Sequence, residues 1–193
     1  AMSRDTSDDL LDPRKGGRLT LETTPMMSVT RGEKAFVKLY GRYRRYVPLR
    51  QSPSIVAAGS LAAGMITGAR QREVPADERF YAGGGGSIRG YSYQSVGPLV
   101  GGIPSGGRSL LTCSFELRTA LSDTVGIVGF LDGGTAFESG NFSSGETFRW
   151  GTGLGLRYRT PVGPLRLDVG IPINRRHGID DSFQFYLSIG QAF

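Results

Sequence analysis

Residues 148–158 alternate with a period of two. Phe148, Trp150, Thr152, Leu154, Leu156 and Tyr158 fall on one side of an extended chain, and Arg149, Gly151, Gly153, Gly155 and Arg157 on the other. Successive side chains point to opposite faces in a β-strand, whereas a helix repeats every 3.6 residues. Such a strand has two different environments, one apolar and one that tolerates guanidinium groups. The same pattern recurs along the chain. Leu19 and Leu21 oppose Arg18, Thr20 and Glu22, and Pro25 is expected to end that run. Between residues 34 and 46, Val37, Leu39 and Tyr43 oppose Lys38, Tyr40, Arg42 and Arg44. A row of cations on one strand face is costly in a packed soluble core and natural on a face bathed in water. Residues 54–67 carry small and apolar groups on both faces; Gly59 and Gly64 count against a helix, and the segment reads as a strand.

Further on, Leu111, Cys113, Phe115 and Leu117 oppose Thr112, Ser114, Glu116 and Arg118. After a tight turn at Ser122-Asp123, Val125, Ile127, Gly129 and Leu131 oppose Gly126, Val128, Phe130 and Asp132. Leu165, Leu167, Val169 and Ile171 face away from Arg166 and Asp168 beyond a turn at Pro161-Val162-Gly163-Pro164. The chain closes on Phe183, Phe185, Leu187, Ile189 and Phe193, read as one alternating stripe. This makes about eight antiparallel strands in an all-β chain. Tight turns alternate with longer loops, including polar loops over 139–145 and 174–181. No window of ~18 apolar residues offers a transmembrane helix, but a barrel strand needs only ~9–11 alternating residues. Alternation by itself fits a soluble barrel with apolar residues inside as well as a transmembrane barrel with apolar residues outside. Arginine and glycine on one face against a Phe/Trp/Leu/Ile stripe on the other favour the transmembrane antiparallel β-barrel.

Residues 1–17 are polar and broken by Pro13 and Gly16-Gly17, and read as a flexible lead-in to a barrel module over 18–193. Ala1-Met2 reads as a cloning remnant, with a leader and upstream domains expected beyond it. Inside the module, residues 71–107 form one long loop with four consecutive glycines at 83–86 followed by Ile88-Arg89-Gly90-Tyr91. Its Tyr, Phe and Arg content argues for packing rather than disorder.

Enzymatic chemistry is not expected. His177 is the only histidine, and no Gly-x-Ser-x-Gly elbow is present. Gly151-Thr152-Gly153-Leu154-Gly155 sits within an alternating strand with no helix after it, so it is not a dinucleotide loop. Cys113 is the only cysteine and the aspartates lack calcium-loop spacing, so no metal and no cofactor is expected. The net charge of +6 comes from arginines distributed over several strand faces, which argues against nucleic acid.

Four motifs in order resemble the outer-membrane protein assembly superfamily, the family of BamA-like and TamA-like barrels and of the two-partner secretion transporters. Ile88-Arg89-Gly90-Tyr91, preceded by Arg79-Phe80-Tyr81-Ala82-Gly83-Gly84, is similar to its loop motif. Phe130-Leu131-Asp132-Gly133-Gly134 resembles its Phe-x-Asp-x-Gly strand, with Phe130 and Gly134 at the ends. Thr160-Pro161-Val162-Gly163-Pro164-Leu165 resembles a family turn. Residues 182–193, with Phe185, Leu187, Ile189 and Phe193, resemble its C-terminal assembly signal. The details look closer to the TamA-like members.

The resemblance implies a loop folded back into the barrel, where Arg89 meets Asp132, with Glu116 as the second candidate. The strand alternation puts both acids on the charged faces independently. It further implies a bacterial outer-membrane location in contact with lipid, and a role in inserting, folding or translocating unfolded outer-membrane or secreted proteins. A passive pore or structural barrel is the alternative. Family barrels have sixteen strands and periplasmic docking domains, and this chain supplies about half the strands. The rest would come from a second copy, from a missing N-terminal half, or be dispensed with by closure into a small barrel. Open edges are not tolerated in lipid.

Overall fold

The computed structural model describes residues 1–28, 34–143, 145–161 and 163–193. Val162 of the proposed turn and Ser144 of the 139–145 loop lie outside the described residues. The strands in chain order are β1 (Met2–Asp5), β2 (Gly16–Ser28), β3 (Lys34–Arg50), β4 (Ile55–Thr67), β5 (Leu99–Val100), β6 (Ile103–Pro104), β7 (Ser109–Ala120), β8 (Val125–Phe137), β9 (Arg149–Thr160), β10 (Gly163–Pro172) and β11 (Gln184–Ile189). Among the described residues, nine of them form one antiparallel sheet in the order β1-β2-β3-β4-β7-β8-β9-β10-β11, while β5 and β6 make a separate small hairpin. The sheet is open. Its edges are β1 and β11, which run in the same sense because an odd number of antiparallel strands separates one end from the other.

The expected strands are present, and 54–67 is indeed extended. Two boundaries differ. Met2–Asp5, read as part of a flexible lead-in, pairs with Arg18–Leu21 of β2 and supplies the ninth strand. Its connection to β2 is anchored as well: Asp12 accepts hydrogen bonds from Gln191 at 2.7 Å and Arg159 at 3.3 Å. Four residues, Met2-Ser3-Arg4-Asp5, are too few for alternation to register in the sequence. Pro25 does not end β2, which continues to Ser28. β1 reaches only to Leu21, so Pro25 lies on an open edge, where a missing N–H is tolerated.

The two sheet faces are opposites. Leu154 and Leu187 are 72% and 78% exposed, with Leu61, Phe115, Phe185 and Ile189 also outward. The other face holds Glu116, Asp132, Asp168, Arg157 and Arg166, all buried. They are buried by the 71–107 loop, which lies against that face. An apolar seat joins Val74, Phe80, Ala82, Ile88, Tyr91 and Val96 of the loop to Phe36, Ile66, Leu110 and Ala136 of the wall. Met26 and Tyr40 pack at its margin, while Tyr186 of β11 hydrogen-bonds the loop from the far side. A sheet whose members from β2 to β11 touch one loop wraps around it as a barrel wall does.

The last residues depart from the alternating stripe. β11 ends at Ile189, Gly190 adopts φ +91°, and the chain turns inward. Phe193 packs against Tyr46, Val56 and Ala58, with the Arg118 guanidinium 5.4 Å from its ring centroid. Of the four residues assigned to the terminal signal, Phe185, Leu187 and Ile189 face outward and Phe193 does not. A period-two reading cannot anticipate a left-handed glycine that breaks the period.

Candidate functional site

Arg89 sits at the tip of the loop, 1% exposed. The tip is held by main-chain bridges between its two legs, Phe80 with Gly107, Ala82 with Val96 and Gly84 with Ile88. Gly90 has φ +97°, and a Cβ there would lie 2.7 Å from the Ile171 main chain, so the residue after Arg89 is confined to glycine. The wall makes matching room. On β9, a Cβ at Gly151 would collide with the Arg89 carbonyl oxygen, one at Gly153 with the Phe130 ring and one at Gly155 with the Asp168–Arg157 pair. The Gly-x-Gly-x-Gly run is therefore the bed on which the loop tip and its ion pairs lie.

Asp132 of β8 accepts two hydrogen bonds from the Arg89 guanidinium, Nε at 2.7 Å and Nη2 at 2.9 Å, and one from the Arg89 main-chain N–H at 3.1 Å. Arg89 Nη1 donates to Glu116 Oε1 of β7 at 2.7 Å and to Asp168 Oδ2 of β10 at 2.9 Å. The Phe130 ring lies 3.6 Å from the guanidinium carbon, a cation–π contact. One side chain thus joins three strands.

Each acid except Asp132 has further cations. Glu116 accepts from Arg118 Nε at 2.8 Å and lies 3.6 Å from Arg157 Nη2. Asp168 pairs with Arg157, and Arg166 Nε lies 3.0 Å away without hydrogen-bond alignment. Asp132 is supported by the Ser114 hydroxyl. Four arginines and three carboxylates share the cluster, so its charges are nearly balanced, as burial requires. Burial opposes the charge on Arg89, but the hydrogen bonds and charge of Asp132, with Glu116 and Asp168, hold its pKa above the ordinary arginine value.

Two more contacts pin the tip. The Tyr91 hydroxyl donates to Asn174 Oδ1 at 2.9 Å and lies 3.1 Å from the Trp150 carbonyl. Arg176 donates to the Ser95 carbonyl at 2.8 Å and to Asp180 at 2.6 and 2.9 Å. Burial raises the Asp180 pKa, but the Arg176 hydrogen bonds and charge outweigh it and leave the carboxyl below its ordinary range.

The structure therefore brings Arg89, Gly90, Tyr91, Asp132, Glu116 and Phe130 together. Gly134 lies further along β8, φ +155°, where a Cβ would press on the Leu111 carbonyl 2.5 Å away. Phe185, Leu187 and Ile189 stay outside the cluster. Sequence reasoning missed Asp168, although its place opposite an apolar stripe marked it as inward. It also missed Arg118, Arg157, Arg166 and Tyr186. Among the described residues, no group of three or more His, Cys, Asp or Glu could hold a metal ion. The cluster is a fixed electrostatic clasp between a loop and a wall.

The profile of the Omp85 superfamily domain matches residues 1–193. The chain belongs to the Omp85 superfamily. The Omp85 chain is 30% identical over 197 residues to the outer membrane protein assembly factor BamA of Nitratidesulfovibrio vulgaris, covering 99% of this chain and 25% of that protein. It is 29% identical over 185 residues to a SAM50-like protein of Schizosaccharomyces pombe, covering 89% of this chain and 39% of that protein. The chain thus spans well under half the length of these relatives. A crystal structure of BamA from Haemophilus ducreyi lacking POTRA domains 1–3 superposes with a TM-score of 0.76 at 21% identity, over 95% of this chain and 40% of that one. The Omp85 fold here is part of an antiparallel barrel wall, open at both edges.

Proposed function

We propose that this chain is the wall segment of an outer-membrane barrel that assists the insertion, folding or translocation of unfolded outer-membrane or secreted proteins, without covalent chemistry. One observation carries the reading: a loop is clasped to the interior of an Omp85 wall through Arg89, Glu116, Asp132 and Asp168. Such a clasp closes the interior when intact and can be released without breaking a covalent bond. The outward leucine and phenylalanine stripes fit lipid contact. A bacterial outer membrane is the location we favour, since the BamA relative matches nearly the whole chain.

The strand senses bear on how the edges are satisfied. A second copy would set β1 beside β11 in parallel, because both run the same way. Antiparallel seams all round need an odd number of additional strands, since the barrel total is then even. This favours further strands of a longer polypeptide over a homodimer.

The test is reconstitution of the full-length protein in liposomes with an unfolded client barrel. Accelerated client folding, lost in Arg89→Ala, supports assembly activity. Ion conductance without acceleration would replace it with a passive pore.

A further inference from the structure

β11 is an edge strand, joined to one neighbour by six register pairs from Leu165↔Ile189 to Gly170↔Gln184. Its outward residues are Phe185, Leu187 and Ile189; its inward ones are Gln184, Tyr186 and Ser188. Two of the three inward residues hold the loop. The Tyr186 hydroxyl accepts the Gly90 N–H at 3.0 Å and donates to the Tyr91 carbonyl at 2.8 Å. Gln184 Nε2 donates to Ser92 Oγ at 3.1 Å. The Tyr186 ring also closes on the glycine turn, where a Cβ on Gly85 would lie 2.9 Å from it.

Tyr186 stands directly opposite Asp168 in the β10–β11 register. Asp168 takes the Arg89 side chain while Tyr186 takes the main chain of the next two residues. Adjacent positions on the last two strands therefore grip three consecutive loop residues. Six ladder pairs are a modest hold for an edge strand, and these loop bonds add to it.

We propose that Tyr186 is a positioning residue that fastens β11 to the loop tip, so that β11 leaves the sheet only when the loop is released. Coupling of this kind is reciprocal. Loosening the Arg89 clasp must loosen β11, and cutting the Tyr186 hydroxyl must loosen the loop tip. The coupling itself does not rest on the assembly function; its consequence for a client strand does.

Hydrogen exchange on the full-length protein in detergent micelles tests it without any client. Tyr186→Phe keeps the ring on Gly85 and removes both hydroxyl bonds. It is expected to speed exchange roughly 5- to 160-fold, the range for two lost hydrogen bonds, in both 184–189 and 89–92. β2 and β3 are expected to keep wild-type rates. Arg89→Lys, which retains the charge, is expected to speed exchange in 184–189 as well. Gln184→Leu, cutting the weaker tether, is expected to show the same pattern at smaller amplitude. Wild-type rates in β11 for all three variants, or a response in only one of the two segments, overturns the proposal.

Discussion

Arg89→Ala tests the clasp most directly. The truncation removes the hydrogen bonds to Asp132, Glu116 and Asp168 and the contact with Phe130. Its effect on the three acids is unequal. Glu116 keeps Arg118 at 2.8 Å, and Asp168 keeps Arg157 and Arg166. Asp132 keeps the Ser114 hydroxyl but, among the described residues, has no other ion pair. One buried carboxylate is stranded, which costs about 3–5 kcal/mol. At 1.36 kcal/mol per decade, the loop-open population rises roughly 10²- to 10⁴-fold. Proteolysis within 71–107 at low protease follows that population, so the cleavage rate of the full-length protein in micelles is the readout. Adding Asp132→Asn removes the stranded charge and is expected to recover part of the loss, on the order of 1–3 kcal/mol. A double variant cleaved as fast as Arg89→Ala would show that the stranded Asp132 charge is not the source of the cost, and the reasoning would be wrong.

Gly151→Ala puts a methyl group on the Arg89 carbonyl; overpacking of about 1–3 kcal/mol is expected, seen as faster cleavage of the same loop with the outer strands still protected. Leu154→Arg changes a side chain that is 72% exposed. Facing lipid near mid-depth it is expected to destabilise by about 2–4 kcal/mol in bilayer refolding titrations, and a neutral result would remove the lipid-facing assignment. The Asp180 carboxyl has a lowered pKa in the folded state. Its contribution is therefore present above the ordinary carboxylate range and lost as pH falls through the lowered value. Protection at 174–180 and at Ser95, taken relative to the intrinsic exchange rate at each pH, is expected to be flat from about pH 8 to 5 and to fall below about pH 4, with Asp180→Asn flattening the response.

Much of this protein was legible as pattern. Period two reports which face a residue occupies, because the strand geometry enforces it locally. That is why Glu116 and Asp132 were assignable from spacing to the charged face and the leucines to the opposite one. Arg89 stood out through the resemblance of Ile88-Arg89-Gly90-Tyr91 to the family's loop motif, which implied an acidic partner. Pattern says nothing about which strands come together around that partner. Asp168 is 79 residues from Arg89 in the chain, and its contact exists only because the sheet curls until β8 and β10 face the same loop tip. The glycines of β9 likewise became intelligible once the loop lay upon them.

By itself, the sequence determined an all-β wall with one apolar and one charged side and a long packed loop; the partnering of Arg89 with an acid came from the family resemblance. The tertiary structure decided the rest. It set the third carboxylate, the inward turn of Phe193, the strand formed by Met2–Asp5 and the tie from Tyr186 to the loop. Each of these depends on distances across the curved sheet, and such distances follow from the curling of the open wall around the loop rather than from any local preference of the chain.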